Sequence, residues 1–211
     1  MKKKILVLGN YKDAMYHPFG GVDERLKKMF PELELICTDK SELLTELEKE
    51  GFAGVISYLD IWDGALAERE AEALYGFVQK GGALLVLHNG ISIQSRKELR
   101  ELIGAKFVTH PPQEVIRFEV KSHLITEGCD GFELSEEPYR FEMEKDGKEL
   151  ILTYFYRGQE YPAGWCKRTG MGRTVFLTPG HTPEIFDCPS YAKLIGRSME
   201  WCLGITDGTD T

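Results

Sequence analysis

Short apolar runs alternate with amphipathic, helix-like segments through the first half of the chain, and this alternation limits the folds available to it. The runs are KILVLG, ELELICTD, AGVISYLD and GALLVLHN, and the segments between them are VDERLKKMF, SELLTELEKE and LAEREAEALYGFVQK. Such alternation predicts parallel strands joined by helices. Gly51 and Gly81 lie where two of these helices should end. Ser95 and Glu98 have the spacing of a capping box at the start of a further helix, RKELREL.

After Gly104 the pattern changes to strand-like stretches: FVTH, EVIRFEV, EPYRFEME, ELILTYFY, YPAGWCKR and GRTVFLTPG. Turns between them are predicted at Asp146-Gly147, Arg157-Gly158 and Thr169-Gly170. Apolar residues near 3.6 periodicity predict a final helix from about Ser190 to Leu203, which Gly204 can end. The expected fold class is therefore α/β, with a mainly parallel central sheet and a β-rich second half.

Length and composition favour one domain, with boundaries at residues 1–204, followed by a flexible polar tail at 205–211. The chain has 211 residues and is 42% hydrophobic, enough for one sizeable core. A formal charge of -8 disfavours nucleic acid and acidic membrane surfaces as partners. No stretch approaches a membrane span, and the apolar run after Lys2 to Lys4 is too short for a signal peptide. Five scattered cysteines without CxxC spacing suit a reducing compartment, so we expect a cytoplasmic protein.

Residues just after the predicted strands are the first candidates for function, because ligands of open α/β sheets bind beyond the carboxyl ends of the strands. Every histidine of the chain falls at a predicted strand end or in a loop, where functional residues concentrate. They are His17, His88, His110, His123 and His181. A single loop histidine is more often structural than catalytic, so only the convergence of several would indicate a site.

The stretch GGALLVLHNGIS predicts a buried strand that ends in a sharp turn, where related sheets present a nucleophile. His88 and Asn89 occupy this turn, and neither carries a hydroxyl or thiol, so a covalent acyl-enzyme is not expected. His88 could act as a general base, a metal ligand or a hydrogen-bond donor; the alternative is a buried structural histidine. In PGHTPE, Glu184 is expected to orient the His181 imidazole; the alternative is a rigid turn in which Glu184 only caps the next segment.

The run SEEPYRFE supplies two adjacent carboxylates and Tyr139. Adjacent strand residues face opposite sides, so one of Glu136 and Glu137 should point into a pocket, and we choose Glu137. Imidazole and carboxylate groups from separate loops could also hold a divalent transition metal such as zinc, although no HxH or HExxH spacing supports it. The metal-ligand candidates are His88, His110, His181 and Glu137.

Several motifs in the correct order resemble the trehalose-utilisation (ThuA-like) family over nearly the whole chain. They are ALLVLHNGIS, AKFVTHPPQE, SHLITEGCDGFELSEEPYRF and GMGRTVFLTPGHTPEIFDCPSYAKLIGRSMEWCLG. The resemblance implies the flavodoxin-like, three-layer sandwich of the class I glutamine amidotransferase superfamily, with a mainly parallel central sheet. Glutaminases of that superfamily use an elbow cysteine with a late histidine and glutamate. Here the elbow holds His88-Asn89, while His181 and Glu184 keep the late positions, so a glutaminase is not expected. Ser122-His123-Leu124 departs from a His-Pro common in the family.

The family resemblance also implies a function in the use of trehalose and related disaccharides, through keto sugars made by a partner sugar oxidoreductase. We therefore expect an isomerase, lyase or hydrolase that acts on a small-molecule carbohydrate. In this hypothesis His181, steadied by Glu184, is the base, and Glu137 supplies a further acid/base or metal-ligand group. His88 and His110 polarise a carbonyl or hold a metal. The predicted substrate-binding residues are His17, Tyr58, Asn89, His110, Gln113 and Tyr139.

Two other interpretations remain open from the sequence. One is a non-catalytic sugar-binding or regulatory module that kept the pocket of the superfamily without its nucleophile. The other is a structural subunit of a larger assembly. A homodimer is the default expectation for a protein of this size.

Overall fold

A nine-stranded mixed sheet forms the centre of the computed structural model, which describes residues 2–14, 16–145 and 147–205. The strands are β1 (Lys4–Gly9), β2 (Glu34–Thr38), β3 (Phe52–Tyr58), β4 (Ala83–Leu87), β5 (Ala105–Thr109), β6 (Glu114–Val120), β7 (Phe132–Glu136), β8 (Arg140–Met143), β9 (Lys148–Tyr156), β10 (Gln159–Thr169) and β11 (Gly172–Leu177). The α-helices are α1 (Val22–Met29), α2 (Glu68–Gln79), α3 (Lys97–Ile103) and α4 (Pro189–Cys202). Short 3₁₀ turns span Ser41–Glu46, His88–Ser95, Leu124–Thr126 and Pro183–Asp187. The predicted turn residue Asp146 and tail residues 206–211 lie outside the described residues.

The sheet has a parallel half and an antiparallel half. Its strand order is β2-β1-β3-β4-β11-β10-β9-β6-β7. The first five strands pair in parallel, and every pairing from β11 onward is antiparallel. Strands β5 and β8 form a separate antiparallel pair. The expected α/β class with a parallel core and a β-rich second half is confirmed.

Helices cover the parallel half on both sides, which gives the three layers that the sequence predicted. Buried residues of α1 and α4 pack on one face of the sheet, in a core that extends to Phe118 and Tyr154 of the antiparallel half. Buried residues of α2 and α3 pack on the other face, together with aromatic residues of the β5–β8 pair. Within the described part of the chain, no helix is long and apolar enough to cross a lipid bilayer.

The antiparallel half curves back towards the parallel half. Four strand spacings separate β7 from β11, which would be about 19 Å in a flat sheet. Even so, the carboxylate of Glu136 at the end of β7 accepts a hydrogen bond from the backbone of Gly180, just after β11, at 2.5 Å. This curvature brings the end of β7 to the carboxyl edge of the parallel strands.

Two local expectations from the sequence were wrong. The segment SELLTELEKE forms the 3₁₀ turn Ser41–Glu46 and irregular turns rather than an α-helix. Its buried residues, Leu44 and Leu47, are three apart, a spacing that a 3₁₀ turn places on one side. The capping box is also absent: α3 follows Arg96, with no side-chain cap, because Ser95 belongs to the preceding 3₁₀ turn.

The stretch EPYRFEME, predicted as continuous strand, is divided between two sheets. Strand β7 ends at Glu136 and β8 begins at Arg140. Pro138 explains the break, since it has no backbone N–H to donate to a ladder. The break frees Glu137 and Tyr139 from the strand alternation. The predicted turn at Arg157-Gly158 is confirmed, with φ of 50° and 80° in a two-residue hairpin connection.

Candidate functional site

Four polar side chains from distant parts of the sequence meet at the carboxyl edge of the parallel strands. His17 lies in the loop after β1, His88 directly after β4, and His181 in the loop after β11. Glu137 joins them from the end of β7. One ligand-type atom of each side chain lies within 4.8 Å of the other three. These four residues are called the first cluster.

His88 is the most constrained member of the first cluster. It is fully buried and has φ of 46°, a left-handed conformation that is rare for a bulky residue. Its Nδ1 lies 2.7 Å from the Thr178 carbonyl oxygen, which can only accept. Nδ1 therefore carries the proton and donates, which leaves the Nε2 lone pair directed at the cluster. A Cβ at Gly180 would lie 2.7 Å from the His88 Cβ, so this close approach requires glycine.

His17 is held in the same way by a carboxylate. Its Nδ1 donates to Asp60 Oδ2 at 3.0 Å, and its Nε2 lies 3.2 Å from His88 Nε2. Asn10 fixes this arrangement, because its Oδ1 accepts from the Asp60 backbone N–H at 2.8 Å. Burial lowers the pKa of the His17 imidazole and outweighs the hydrogen bond that His17 donates to Asp60, which would raise it. The neutral ring is therefore favoured, with its lone pair towards His88.

Glu136 ties the last two members of the first cluster together. Its fully buried carboxylate accepts hydrogen bonds from the backbone N–H groups of Gly180, His181 and Glu137, at 2.5, 3.0 and 3.0 Å. Strand alternation predicted that only one of Glu136 and Glu137 would reach the pocket. Glu137 does line the cavity and Glu136 does not, although strand alternation is not the reason, because β7 ends between them. Glu136 holds the backbone, and Glu137 presents its carboxylate to the imidazoles.

Glu137 lies among three imidazoles. Its Oε2 is 3.6 Å from His88 Nε2 and 3.5 Å from His181 Nδ1, and its Oε1 is 3.6 Å from His110 Nδ1. Burial would raise the pKa of Glu137, but the hydrogen bonds and charges of His181 and His88 outweigh burial and hold it far below the usual range. The hydrogen bond to Glu137 also raises the pKa of His181, against the effect of burial. The site therefore favours an ionised carboxylate.

Two members of the first cluster, His17 and Glu137, form part of the floor of a cavity of about 410 Å³. Its walls are mainly aromatic. The lining residues are Tyr16, His17, Trp62, Phe107, His110, Glu137 and Tyr139. The ring centroids of Trp62 and Phe107 lie 4.9 Å apart, and Trp62 is 38% exposed. The cavity thus combines ionisable groups at its base with apolar ring faces at its sides.

Tyr139 connects the walls to the floor. Its hydroxyl lies 3.2 Å from His88 Nε2, and its ring stacks on the His88 ring with centroids 4.7 Å apart. Burial raises the pKa of Tyr139 well above its usual value. The hydroxyl therefore stays protonated and can donate a hydrogen bond to His88 or to a bound ligand.

Some residues predicted for the site lie elsewhere. The carboxylate of Glu184 is 73% exposed and 3.8 Å from Arg25. Within the described part of the chain it makes no hydrogen bond or ion pair with His181, so Glu184 does not orient that imidazole. The reason is that the 3₁₀ turn Pro183–Asp187 directs it outward. Gln113 is exposed and donates to the Ser135 carbonyl and hydroxyl rather than lining the cavity.

Two further predicted substrate-binding residues support the site from within the protein. The Tyr58 hydroxyl donates to the Gly180 carbonyl oxygen at 2.6 Å. Asn89 Nδ2 donates to the Tyr58 carbonyl oxygen at 2.8 Å. Both side chains are fully buried, so they brace the loops that carry His88 and His181. His110, in contrast, lines the cavity as expected.

Several residues of the site were not assigned a role from the sequence. They are Tyr16, Asp60, Trp62, Phe107 and Glu136. Asp60 had a detectable signal, since it follows β3 at the same edge as the other strand ends. The aromatic walls had none, because Trp62 and Phe107 lie 45 positions apart in loop and strand.

A second cluster of metal-ligand types consists of His123, Glu149 and Cys166. His123 Nδ1 accepts a hydrogen bond from the Ile125 backbone N–H at 3.0 Å, so the proton of the neutral ring is on Nε2. Nε2 lies 3.5 Å from Cys166 Sγ and 3.9 Å from Glu149 Oε2. Burial raises the pKa of the Cys166 thiol to about 12. His123 and Cys166 therefore present hydrogens rather than lone pairs, and lone pairs are offered only by the carboxylate of Glu149, which is 76% exposed.

Comparisons with known proteins agree with this fold. The sequence model of the ThuA family, described as trehalose utilisation, matches residues 14–202. The chain belongs to the ThuA family. The ThuA-like resemblance noted in the sequence is thus confirmed, whereas no curated protein sequence is significantly similar to the chain.

Solved structures similar to this ThuA-family chain share its fold at low identity. A ThuA-like protein from Parabacteroides merdae has a TM-score of 0.79 and 15% identity, covering 96% of this chain and 90% of that one. One from Bacteroides uniformis has a TM-score of 0.75 and 15% identity, covering 95% and 91%. A cytoplasmic protein from Salmonella typhimurium has a TM-score of 0.67 and 10% identity, covering 94% and 99%.

Proposed function

We propose that this ThuA-family protein is an enzyme of carbohydrate metabolism that acts on a sugar or keto sugar derived from trehalose or a related disaccharide. The observation that carries the proposal is the position of Glu137 among His88, His110 and His181 at the base of an aromatic cavity. Ionisable groups concentrated in one concave site favour catalysis over simple packing. The family description, trehalose utilisation, supports the choice of a sugar.

The cavity has the chemistry that a sugar ring requires. The C–H faces of a pyranose ring are apolar and stack on aromatic rings, while the ring edge carries hydroxyl groups that need hydrogen-bond partners. Trp62 and Phe107 offer aromatic surface, and Tyr139, His110 and Glu137 offer polar groups. A cavity of about 410 Å³ lies within the size range of small-molecule sites.

The proposed reaction begins with proton transfer next to a ketone. A ketone at C3 acidifies the C2 proton, so a base and a polarising group can promote isomerisation or elimination of a glycosidic bond. A partner sugar oxidoreductase would supply the keto sugar. Asn89 and Gln113 are not assigned to substrate, because one is buried behind the elbow and the other lies outside the cavity.

We assign the proton-transfer role to His110 rather than His181. His181 directs Nδ1 towards His17 and Glu137 and is not among the residues that line the cavity. His110 Nδ1 lies 2.9 Å from the Pro111 carbonyl oxygen and therefore carries a proton, which leaves the Nε2 lone pair available. Glu137 supports the positive charge that His110 acquires.

The test is deuterium exchange at C2 of 3-keto-trehalose in D₂O, followed by NMR. The wild-type protein should catalyse exchange, and His110→Gln should slow it by about 10²–10⁴-fold, the range for loss of a general base. Glu184→Gln, a matched change of an exposed carboxylate outside the cavity, should exchange like wild type. Exchange that survives in His110→Gln would remove the assigned base.

The sequence also left open a non-catalytic sugar-binding module, and the same experiment separates it from an enzyme. Calorimetry with trehalose and 3-keto-trehalose would accompany the exchange measurement. Binding without exchange would favour the module, in keeping with an elbow that lacks a nucleophile. If the protein neither binds these sugars nor catalyses exchange, a sugar site in this cavity is refuted.

A further inference from the structure

We propose that His17, His88, His181 and Glu137 bind one divalent transition metal ion of the zinc class, with a coordination position open to the cavity. The proposal deepens the proposed function, because the ion would lie at the floor of the same cavity. It does not depend on which sugar binds there.

The first argument is the spacing of the four atoms that face one another. His17 Nε2 lies 3.2 Å from His88 Nε2 and 3.3 Å from His181 Nδ1. Glu137 Oε2 lies 3.6 Å from His88 Nε2 and 3.5 Å from His181 Nδ1. Ligands at about 2.0–2.1 Å from a tetrahedral metal are separated by about 3.3–3.4 Å. These four of the six distances between ligand atoms scatter around that value, and the other two are at most 4.8 Å.

The second argument is the orientation of the imidazole rings. A metal-ligating histidine almost always donates its other ring N–H to a carbonyl or carboxylate, which fixes the lone pair on the ligating nitrogen. His88 donates to the Thr178 carbonyl, and His17 donates to Asp60. Two lone pairs therefore face each other at 3.2 Å, an arrangement that a cation between them stabilises.

The third argument is the chemistry of the donor set. Three imidazoles and one carboxylate suit zinc and similar first-row ions, whereas Mg²⁺ and Ca²⁺ prefer oxygen ligands. A carboxylate ligand also supplies one negative charge to offset the charge of the ion. The sequence predicted His110 as a metal ligand and did not predict His17. In the proposed site His17 is a ligand and His110 is not.

Two of the four residues, His17 and Glu137, also line the cavity, so a bound ion would be accessible to a ligand. A catalytic metal keeps such an open position, while a structural metal is enclosed by its protein ligands. The ion would polarise a carbonyl or hydroxyl oxygen that reaches the floor. His110 and Tyr139 remain available for proton transfer and hydrogen bonding.

A metal-free arrangement is the competing explanation. The Tyr139 hydroxyl can donate to His88 Nε2 at 3.2 Å, and a protonated His181 Nδ1 can donate to His17 Nε2 at 3.3 Å. These two hydrogen bonds would satisfy both lone pairs without an ion. The two explanations differ in one measurable quantity, the affinity of the protein for a metal.

The test is metal binding by the full chain after removal of metal with a chelator. Zn²⁺, Mn²⁺ and Mg²⁺ would be titrated separately, with stoichiometry from elemental analysis and affinity from competition with a chromophoric chelator. We expect about one Zn²⁺ or Mn²⁺ per chain and much weaker Mg²⁺ binding. Glu137→Gln should weaken binding by more than about 100-fold, beyond the 10–100-fold that loss of an outer-shell partner costs.

His17→Ala and His110→Ala form a matched pair for the identity of the ligands. His17→Ala should lose the metal, and His110→Ala should retain it. Circular dichroism would establish that each variant is folded, and Glu137→Gln, which keeps side-chain shape, covers the case in which His17→Ala does not fold. Absence of stoichiometric metal in the wild type, or retention of it in Glu137→Gln, would overturn the proposal. Since no sugar is used, these outcomes are independent of those for the proposed function.

Discussion

The first and second clusters contain similar chemical groups but differ in what those groups present. In the first cluster, carbonyl and carboxylate acceptors hold the outer nitrogens of His88 and His17, so both rings direct lone pairs inward. In the second cluster, His123 uses its lone pair to accept the Ile125 N–H, so it directs a hydrogen towards Cys166 and Glu149. Proximity of histidines and acids is therefore a weak criterion for a metal site, and the partner of the second ring nitrogen is a stronger one.

The two clusters also differ in their surroundings. The first lies where three parallel strands end, with its members at most 17% exposed at the side chain. The second cluster includes Glu149, which is 76% exposed. It also includes the Cys166 thiol, whose pKa is raised by burial. The exposed Glu149 carboxylate can rotate towards the solvent, whereas the Glu137 carboxylate is confined among imidazoles. If the supporting contacts account for this difference, their removal should weaken metal binding at the first cluster.

Among changes to residues that are not ligands, the largest effect on metal affinity is expected from Glu136→Gln, which would act through positioning. The two Glu136 oxygens accept from three backbone N–H groups that set the positions of Glu137 and His181. An amide offers only one acceptor oxygen, so at least one N–H loses its partner. We expect metal affinity to fall about 10–100-fold, measured by chelator competition.

Glu184→Gln is the control for this change, because it also replaces a carboxylate by an amide near His181 but is exposed and outside the cavity. A purely structural role for Glu136 would lower the melting temperature without changing metal affinity at a temperature where the protein is folded. Equal affinities for Glu136→Gln and Glu184→Gln would remove Glu136 from the positioning role.

A smaller effect is expected from Asp60→Asn. The asparagine oxygen can still accept from His17 Nδ1, so the ring orientation survives while the negative charge beside it is lost. Only one ligand is affected, so we expect a loss of about tenfold, the lower end of the range for outer-shell changes. Asp60→Ala, which removes the acceptor, should bind metal more weakly than Asp60→Asn; the reverse order would argue against orientation of His17 by Asp60.

The sequence predicted the elements of the first cluster better than their arrangement. Strand alternation placed His88 and His181 at the carboxyl edge, because parallel strands end at one side of a sheet. It could not place Glu136, since its contact with Gly180 depends on how strongly the antiparallel half curves. Glu184 was misplaced because three residues of separation do not determine the direction of a side chain after a proline. The sequence also could not predict the histidine tautomers, because each depends on a hydrogen-bond partner distant in sequence, such as Thr178 for His88.

The smallest effect on metal binding is expected from His123→Ala in the second cluster. If His123 and Cys166 present hydrogens rather than lone pairs, removal of the His123 imidazole should leave metal stoichiometry and affinity unchanged. The free energy of unfolding should nevertheless fall by about 1 kcal/mol, because His123 Nδ1 caps the 3₁₀ turn Leu124–Thr126 as an N-cap side chain does. Urea denaturation would measure the second quantity and chelator competition the first. A loss of metal in His123→Ala would mean that the second cluster binds metal despite its hydrogen bonds. The partner of the second ring nitrogen would then not decide which cluster binds metal.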